Sequence, residues 1–256
     1  MSIQGTPDLG KLDGEIRTLD PATGAVRTFA TGLDNPRGLT FTGRHLVVTD
    51  TDKIFTIDRS GTVQLLATAA QFPFKAEFFN DVTAEPGGGA VYVTEMGART
   101  KARDPQGVLW PTDSPEALQI PAEARVYRVS LTGQIRAVNT PSRKSLIING
   151  VGLGRSGLLI ADMFYGNIVR IEDGRQTVLA SGFRGADGVE QAADGTIYIS
   201  SFDNGAVWSI DRDGENPRTL LSGVGSRSTA DFYLDERGKR LLVPDTLHGT
   251  VIVLPL

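Results

Sequence analysis

The chain has 256 residues, of which 40% are hydrophobic and 22% are charged, and its formal net charge at pH 7 is −4. This balance predicts a folded globular protein and excludes a disordered chain. The acidic charge leaves no basic stripe for a phosphate backbone, so we expect no nucleic-acid partner. The absence of cysteine excludes disulfides, thiolate nucleophiles and cysteine-ligated metals.

The start of the chain and its apolar segments bear on localisation. Residues 1–8 contain neither the basic stretch nor the apolar run of a signal peptide. No apolar run approaches the roughly 20 residues that a membrane-spanning helix needs. We therefore expect no membrane partner and a cytoplasmic location, with the mature form of an exported protein left open.

Short strands recur along the whole chain. Thirty glycines and 13 prolines are spread over its length, which indicates many tight turns. A first strand is predicted at 15–20. Five further units follow, and the second strand of each ends in an acidic or small residue, at 46–50, 91–95, 158–162, 197–201 and 241–245. A strand rich in β-branched and aromatic residues comes next in each unit, at 54–58, 126–129, 168–171, 207–211 and 251–254.

These units predict an all-β fold of the β-propeller class. A unit of roughly 40 residues with four short strands cannot bury both of its faces alone and must stack on its neighbours. We expect residues 1–256 to form a single propeller domain of six blades with a partial first blade, because residues 14–30 show only two outer strands. A five-bladed ring that residues 14–30 help to close is the alternative.

Polar residues mark the start of the innermost strand in four successive units. They are Asn80, Asn149, Asp187 and Asp231, and the unit before them has Pro36. Each lies 13 to 15 residues before the end of its second strand, so we place all five at equivalent positions around one mouth of the central channel. Two carboxylates and two amides suit Ca²⁺ or another hard divalent cation. The structural alternative is that each bonds its local backbone, as Asn and Asp in turns commonly do.

Two loops at the same face supply further candidates. Residues 96–124 form a long insertion loop that we expect over the channel mouth, and its Trp110 is a candidate substrate-binding residue. The alternative is that this segment is a surface loop without a binding function. His248, in a tight loop, is a candidate substrate-binding residue that could act as an acid or base.

Three of the motifs resemble those of a known family. Phe79-Asn80-Asp81, Asn149-Gly150 and Ala186-Asp187-Gly188-Val189 resemble motifs of the senescence marker protein, gluconolactonase and luciferin-regenerating enzyme family. The resemblance covers about residues 33–256 and implies a calcium-dependent six-bladed propeller. It also implies that Asn80, Asn149 and Asp187 hold the metal and that Asp187 is the catalytic base or nucleophile.

The chain departs from this family at two places. The family's metal-binding glutamate of the first blade has no counterpart, and Asp231 is the candidate replacement. Family members that act on sugar lactones carry arginine two residues before the asparagine, where this chain has Phe78. We therefore take Phe78 as a substrate-binding residue and expect a more apolar lactone or ester.

Three functions follow from this reading. The leading hypothesis is a calcium-dependent hydrolase of a lactone or related ester, acting on a small-molecule substrate at the channel mouth. In it the cation polarises the substrate carbonyl, and Asp187 activates water or attacks directly. The first alternative is a non-catalytic ligand-binding or sensing propeller with structural calcium. The second is a lyase or a strictosidine synthase-like propeller, which the Asn-Pro-Arg-Gly-Leu segment at Asn35 to Leu39 resembles.

Overall fold

The structure, a computed structural model, describes residues 1–6 and 9–256. These residues form 22 short strands in six antiparallel sheets, arranged as a six-bladed β-propeller. In every sheet the strands follow one another in chain order, so each blade is a meander. The predicted all-β propeller is therefore confirmed. The five-bladed alternative is wrong, because the first strands form a sheet of their own, separate from the last sheet.

The chain divides into two compact units of three blades each. The first unit contains residues 1–95 and 126–138. Blade 1 contains β1 (Ser2–Ile3), β2 (Gly14–Leu19) and β3 (Val26–Leu33); blade 2 contains β4 (Pro36–Phe41), β5 (Leu46–Asp50), β6 (Lys53–Ile57) and β7 (Val63–Thr68); blade 3 contains β8 (Phe79–Ala84), β9 (Ala90–Glu95), β10 (Arg125–Ser130) and β11 (Ile135–Ala137). In the described part of blade 1 no strand precedes β1, so the blade has no counterpart of β4 and is partial, as predicted.

The second unit contains residues 96–125 and 139–256. Blade 4 contains β12 (Ile148–Gly154), β13 (Gly157–Asp162), β14 (Asn167–Glu172) and β15 (Arg175–Ala180); blade 5 contains β16 (Ala186–Gln191), β17 (Ile197–Ser201), β18 (Ala206–Ile210) and β19 (Arg218–Leu221); blade 6 contains β20 (Tyr233–Asp235), β21 (Arg240–Asp245) and β22 (Thr250–Pro255).

Among the described residues, helical structure is limited to three short segments. Residues Ala69–Gln71 and Arg99–Lys101 form 3-10 turns, and Pro115–Gln119 forms α1, which Ser114 caps by accepting from the Ala117 N–H. Within residues 1–6 and 9–256 no helix has the length and apolarity that crossing a bilayer would require.

Side chains that alternate along the strands build the core within each unit. In the first unit the rings of Phe72, Phe79 and Tyr127 pack with centroids 4.6 and 4.8 Å apart. In the second unit Phe183 packs against Trp208 at 5.4 Å. Fully burying one aliphatic or aromatic side chain of this size contributes about 1.5–3 kcal/mol, so these layers hold the blades in place.

Buried polar residues end the second strand in five blades, and they are structural. They are Asp50, Glu95, Asp162, Ser201 and Asp245. Asp50 accepts the backbone N–H groups of Asp34 and Asn35 at 2.8 and 2.7 Å, and Asp162 accepts those of Ile147 and Tyr165, both at 2.9 Å. Each carboxylate thus ties the loop that enters the innermost strand to the end of the second strand. This contact explains the acidic or small residue that recurs there in the sequence.

Candidate functional site

A β-bulge interrupts the innermost strand of blades 2 to 5 at the same point. In blade 3 the pairing passes from Phe79 opposite Glu95 to Val82 opposite Val93, so two residues face one on the partner strand. The same shift occurs in blades 2, 4 and 5. A bulge bends its strand and redirects the side chains within it. We call its two residues bulge positions 1 and 2.

Bulge position 1 carries three of the predicted site residues. It is occupied by Arg37, Asn80, Asn149 and Asp187 in blades 2, 3, 4 and 5. The expected equivalence of Asn80, Asn149 and Asp187 is therefore found. The assignment of Pro36 to this position is wrong, because Pro36 pairs directly with Asp50 and Arg37 follows it.

Asp231 lies one position further along than predicted. Thr229 forms a bridge with Asp245, and Tyr233 pairs with Leu242, so Ala230 corresponds to bulge position 1 and Asp231 to bulge position 2. Counting residues to the end of the second strand missed this offset, because the length of the connection between the strands differs among blades.

Bulge position 2 carries either glycine or aspartate, and each aspartate fits against a glycine of the preceding blade. It carries Gly38, Asp81, Gly150, Gly188 and Asp231 in blades 2 to 6. A Cβ at Gly38 would lie 2.6 Å from Asp81 Oδ1, and one at Gly188 would lie 2.9 Å from Asp231 Cα and closer still to its Oδ1. Each aspartate therefore occupies a notch that glycine leaves on the preceding blade.

Hydroxyl groups on the second strands hold the bulges in shape. Thr94 Oγ1 accepts from the Asp81 N–H at 2.8 Å, and Ser200 Oγ accepts from the Gly188 N–H at 2.9 Å. These side chains replace ladder hydrogen bonds that the bulge removes. Sequence reasoning missed them, although Thr94 and Ser200 both stand immediately before the last residue of a second strand.

The second unit brings Asn149, Asp187 and Asp231 together. Asn149 Nδ2 donates to Asp187 Oδ2 at 2.9 Å, and both side chains are buried. Asp231 lies against Gly188, the residue after Asp187. We call these three residues the cluster: the Asn149 amide orients the Asp187 carboxylate, and Asp231 adjoins the backbone of the same bulge.

Asn80 and Phe78 belong to the first unit. The Asn80 carbonyl accepts a hydrogen bond from the Thr49 hydroxyl, and its role as a ligand stays a prediction. The guanidinium of Arg37 lies over the ring of Phe78, with Cζ 4.1 Å from the ring centroid. The surface at Phe78 therefore combines an apolar ring with the positive charge of Arg37.

The loop 96–124 lies against the other loops of the second unit through three arginines. Arg103 binds Asp203 with two hydrogen bonds of 2.8 and 3.1 Å. Arg143 donates to the carbonyls of Ala117 and Ile120 at 2.9 and 3.0 Å. Arg184 donates to the carbonyls of Leu109 and Trp110. Trp110 is half-buried. This candidate therefore lies in a segment that the hydrogen bonds of these arginines hold against the neighbouring loops.

His248 is held by the buried carboxylate of its own blade. Its Nδ1 lies 2.9 Å from Asp245 Oδ2, while the imidazole remains 55% exposed. Burial acts to raise the pKa of Asp245, but hydrogen bonds from His248 and the Ser228 N–H outweigh it and keep that pKa below its ordinary value. An imidazole bonded through Nδ1 presents Nε2 outward, which suits the predicted contact with substrate.

The donors of the second unit fit a hard cation. In the described part of the chain no three histidine, aspartate or glutamate side chains group closely enough to hold a metal by themselves. The cluster instead combines two carboxylates with an amide, and calcium accepts such a set when carbonyls, water or substrate complete its six to eight oxygens. Histidine and thiolate, which zinc and copper prefer, are absent from it.

Solved structures of other proteins share the fold. A gluconolactonase from Xanthomonas campestris is 19% identical with a TM-score of 0.69, over 94% of this chain and 78% of that one. A regucalcin from Agrobacterium tumefaciens, described as a calcium-binding protein, is 20% identical with a TM-score of 0.64, over 90% and 74%. A streptogramin B lyase is 15% identical with a TM-score of 0.55, over 86% and 68%.

Sequence comparison identifies the family. No curated protein sequence matches the chain significantly. The family model for the SMP-30/gluconolactonase/LRE-like region matches residues 12–243. This match spans most of the chain and includes the bulges that carry Asn80, Asn149 and Asp187. The protein therefore belongs to the SMP-30/gluconolactonase/LRE-like family.

Proposed function

We propose that the protein is a calcium-dependent hydrolase of a lactone or related ester. The observation that carries this proposal is the cluster of Asn149, Asp187 and Asp231 at the bulges of the second unit. Membership of a family that includes gluconolactonases supports it, as does the shared fold of a calcium-binding regucalcin. Asn80 is a further candidate ligand by its bulge position.

Each residue of the cluster has a chemical role in this proposal. Asn149, Asp187 and Asp231 would hold the cation, and a bound divalent cation supplies a Lewis acid for the substrate carbonyl. The Asn149 amide donates to Asp187 Oδ2 and orients the carboxylate, which in this proposal would also take a proton from the attacking water. The carboxylate of Asp231, set in the Gly188 notch, would add negative charge for the cation. Trp110 and His248 would contact the substrate from the surrounding loops.

Metal analysis combined with thermal unfolding tests the cation site. The wild type should retain a divalent metal, and calcium at 100 times its Kd should stabilise it by about 2.7 kcal/mol, or roughly 5–10 °C in Tm. Asp187→Ala should lose both effects. Asp211→Ala, which removes a half-buried turn carboxylate from the same blade, is the control and should keep them. A wild type without bound metal or calcium-dependent shift contradicts the site.

Turnover tests the catalytic part of the proposal. The calcium-loaded wild type should hydrolyse members of a panel of lactones and aryl esters, and Asp187→Asn should lower kcat by about 100-fold or more. The amide keeps the shape of the carboxylate but cannot accept the proton. Failure of the calcium-loaded wild type to hydrolyse any member of the panel would contradict a hydrolase.

A non-catalytic binding propeller is the second candidate. It is supported by Arg37, which puts a positively charged residue at the bulge position where blades 3 to 5 carry candidate oxygen ligands. In such a protein Asp187→Asn would leave ligand binding intact as long as the metal is retained. The streptogramin B lyase shares the fold at 15% identity, which carries no argument for lyase chemistry.

A further inference from the structure

Blade 6 carries an acid–base pair outside the cluster. Asp245 is buried at the end of β21, as Asp50 and Asp162 are at the ends of their second strands. Those two aspartates accept backbone N–H groups. Asp245 also accepts such groups, but its Oδ2 lies 2.9 Å from Nδ1 of His248 as well. We call Asp245 and His248 the dyad; both belong to the second unit.

The buried carboxylate fixes the tautomer of the imidazole. Burial opposes ionisation of Asp245, but hydrogen bonds from His248 and the Ser228 N–H keep its pKa below the ordinary value, so the carboxyl is ionised at neutral pH. An ionised carboxylate only accepts hydrogen bonds, so the hydrogen of this contact belongs to His248 Nδ1. In the neutral imidazole Nε2 then carries the lone pair that can take a proton. The ring is more exposed than buried, so Nε2 can be reached from solvent.

Backbone donors hold the carboxylate of the dyad on its other oxygen. Asp245 Oδ1 accepts from the Ser228 N–H at 3.3 Å and from the Leu247 N–H at 3.2 Å. A carboxylate held in this way orients the imidazole before a substrate arrives. Nη1 of Arg227 lies 3.6 Å from Asp245 Oδ2, and this guanidinium is partly exposed. A permanent positive charge therefore lies beside the dyad.

Apolar side chains border the dyad. Leu247 precedes His248 in the chain and is exposed, as is Phe202 of blade 5. The Phe202 carbonyl accepts from Ser228 Oγ at 2.9 Å, and the Ser228 carbonyl accepts from the Thr246 N–H at 2.8 Å. These bonds hold the Phe202 loop against the loop that carries the dyad. Apolar surface next to an acid–base group suits the acyl or aryl part of an ester.

We infer that the dyad is a second hydrolytic site, which acts on aryl esters without a bound cation. His248 Nε2 takes a proton from water while the water oxygen attacks the ester carbonyl carbon. The bond from this carbon to the aryloxy oxygen then breaks, and the imidazolium returns the proton to that oxygen, so that a carboxylic acid and a phenol are released. Asp245 stabilises the imidazolium, and Arg227 places positive charge near the developing oxyanion. The activity goes beyond the proposed function, because no residue of the cluster takes part.

An aryl ester and chelated protein test the inference. The full chain is treated with EDTA, and hydrolysis of 4-nitrophenyl butyrate is followed by the release of 4-nitrophenolate. We expect the wild type to be faster than N-acetylhistidine at the same concentration, and His248→Gln to lower kcat/KM about 10- to 100-fold, because the general base is lost. The chain has two histidines, so His45→Gln is the matched control and should keep the rate.

The tautomer gives a readout that does not depend on turnover. Long-range ¹H–¹⁵N NMR correlations of the neutral imidazoles should place the hydrogen of His248 on Nδ1. Asp245→Asn should lower the calcium-free rate about 10-fold or more, because an amide can donate to Nδ1 and leave the hydrogen on Nε2. Circular dichroism should show that the variants are folded.

Three results would overturn the inference: a chelated wild type no faster than N-acetylhistidine, a His248→Gln variant that keeps the rate, or a neutral His248 with its hydrogen on Nε2. Hydrolysis that appears only with calcium supports the proposed function and counts against the dyad. Hydrolysis that survives chelation, requires His248 and is not increased by calcium supports the dyad and contradicts the proposed calcium-dependent reaction.

Discussion

Asp187 and Asp162 are both aspartates, but their hydrogen-bond partners differ. Asp187 lies at a bulge, where the Asn149 amide donates to its carboxylate and Asp231 lies against the next residue, Gly188. Asp162 is fully buried at the end of β13 and binds backbone N–H groups of its own blade. Residue type and secondary structure alone do not separate them, because Asp187 lies in strand β16 and Asp162 is the last residue of strand β13. Their hydrogen-bond partners separate them.

The ionisation of Asp162 should be visible in the stability of the protein. Burial raises its pKa from 3.8 to about 7, although the N–H groups of Ile147 and Tyr165 act in the other direction. Between these values the folded protein binds a proton that the unfolded chain has released, so the free energy of unfolding falls as pH rises. From pH 5 to pH 8 this group should remove about 2–3 kcal/mol.

Urea unfolding at the two pH values measures the effect. Asp162→Asn, which cannot ionise, should lack this part of the pH dependence. It should also be less stable by about 1–3 kcal/mol in general, because the amide cannot accept all of the backbone donors. Equal pH dependence in the variant and the wild type would show that Asp162 keeps an ordinary pKa.

The notch at Gly188 should be necessary for the candidate site. In Gly188→Ala the added methyl would lie 2.9 Å from Asp231 Cα, so Asp231 must move away from Asp187. We expect a loss of about 1–3 kcal/mol of stability and weaker calcium binding, measured by denaturation and calorimetry. Gly89→Ala is the control, because its Cβ would meet no atom within 4 Å. Unchanged calcium affinity in Gly188→Ala would exclude Asp231 from the site.

At the scale of the element, the bulge decides what the innermost strands present. A regular strand would send neighbouring side chains to opposite faces, whereas the bulge places two consecutive residues opposite one partner. The hydroxyls of Thr94 and Ser200 satisfy the backbone donors that result. The site therefore depends on residues of the second strand that do not themselves belong to it.

The loop 96–124 should depend on Arg103 for its order. The Arg103–Asp203 pair is about a quarter exposed on each side, so Arg103→Ala should cost at most about 1 kcal/mol in global stability. Its effect should be local, as faster hydrogen exchange across residues 96–124. Lys101→Ala, an exposed position in the same loop, should leave exchange unchanged. Unaltered exchange in Arg103→Ala would show that Arg143 and Arg184 suffice to order the loop.

At the scale of the whole molecule, the sequence predicted the strands closely. The strand predicted at 197–201 is β17 at those bounds, and the one at 158–162 is β13 from Gly157 to Asp162. The loop predicted at 96–124 fills the interval between β9 and β10. These features were predictable because alternation of apolar residues and turn-forming residues are local properties of the chain.

The site was predicted less completely. Asn80, Asn149 and Asp187 were placed correctly with respect to one another. Pro36 was assigned to the bulge position that Arg37 occupies, and Asp231 was assigned to bulge position 1 although it lies at bulge position 2. A residue count cannot reveal the position of a bulge, because the connection between the first two strands varies in length. Nor could it show that Arg37 covers Phe78, since those residues are joined by packing between blades and not by spacing.

By itself the sequence determined the class of fold, the number of repeating units and the residue types available for a cation site, because each follows from patterns repeated within the chain. Tertiary structure alone decided which carboxylates bind backbone N–H groups and which lie at the bulges. It also decided that Asp231 fits the Gly188 notch and that Arg37 occupies bulge position 1 in blade 2. The physical reason is that these properties arise from strand pairing and from contacts between neighbouring blades, which bring together residues about 40 positions apart.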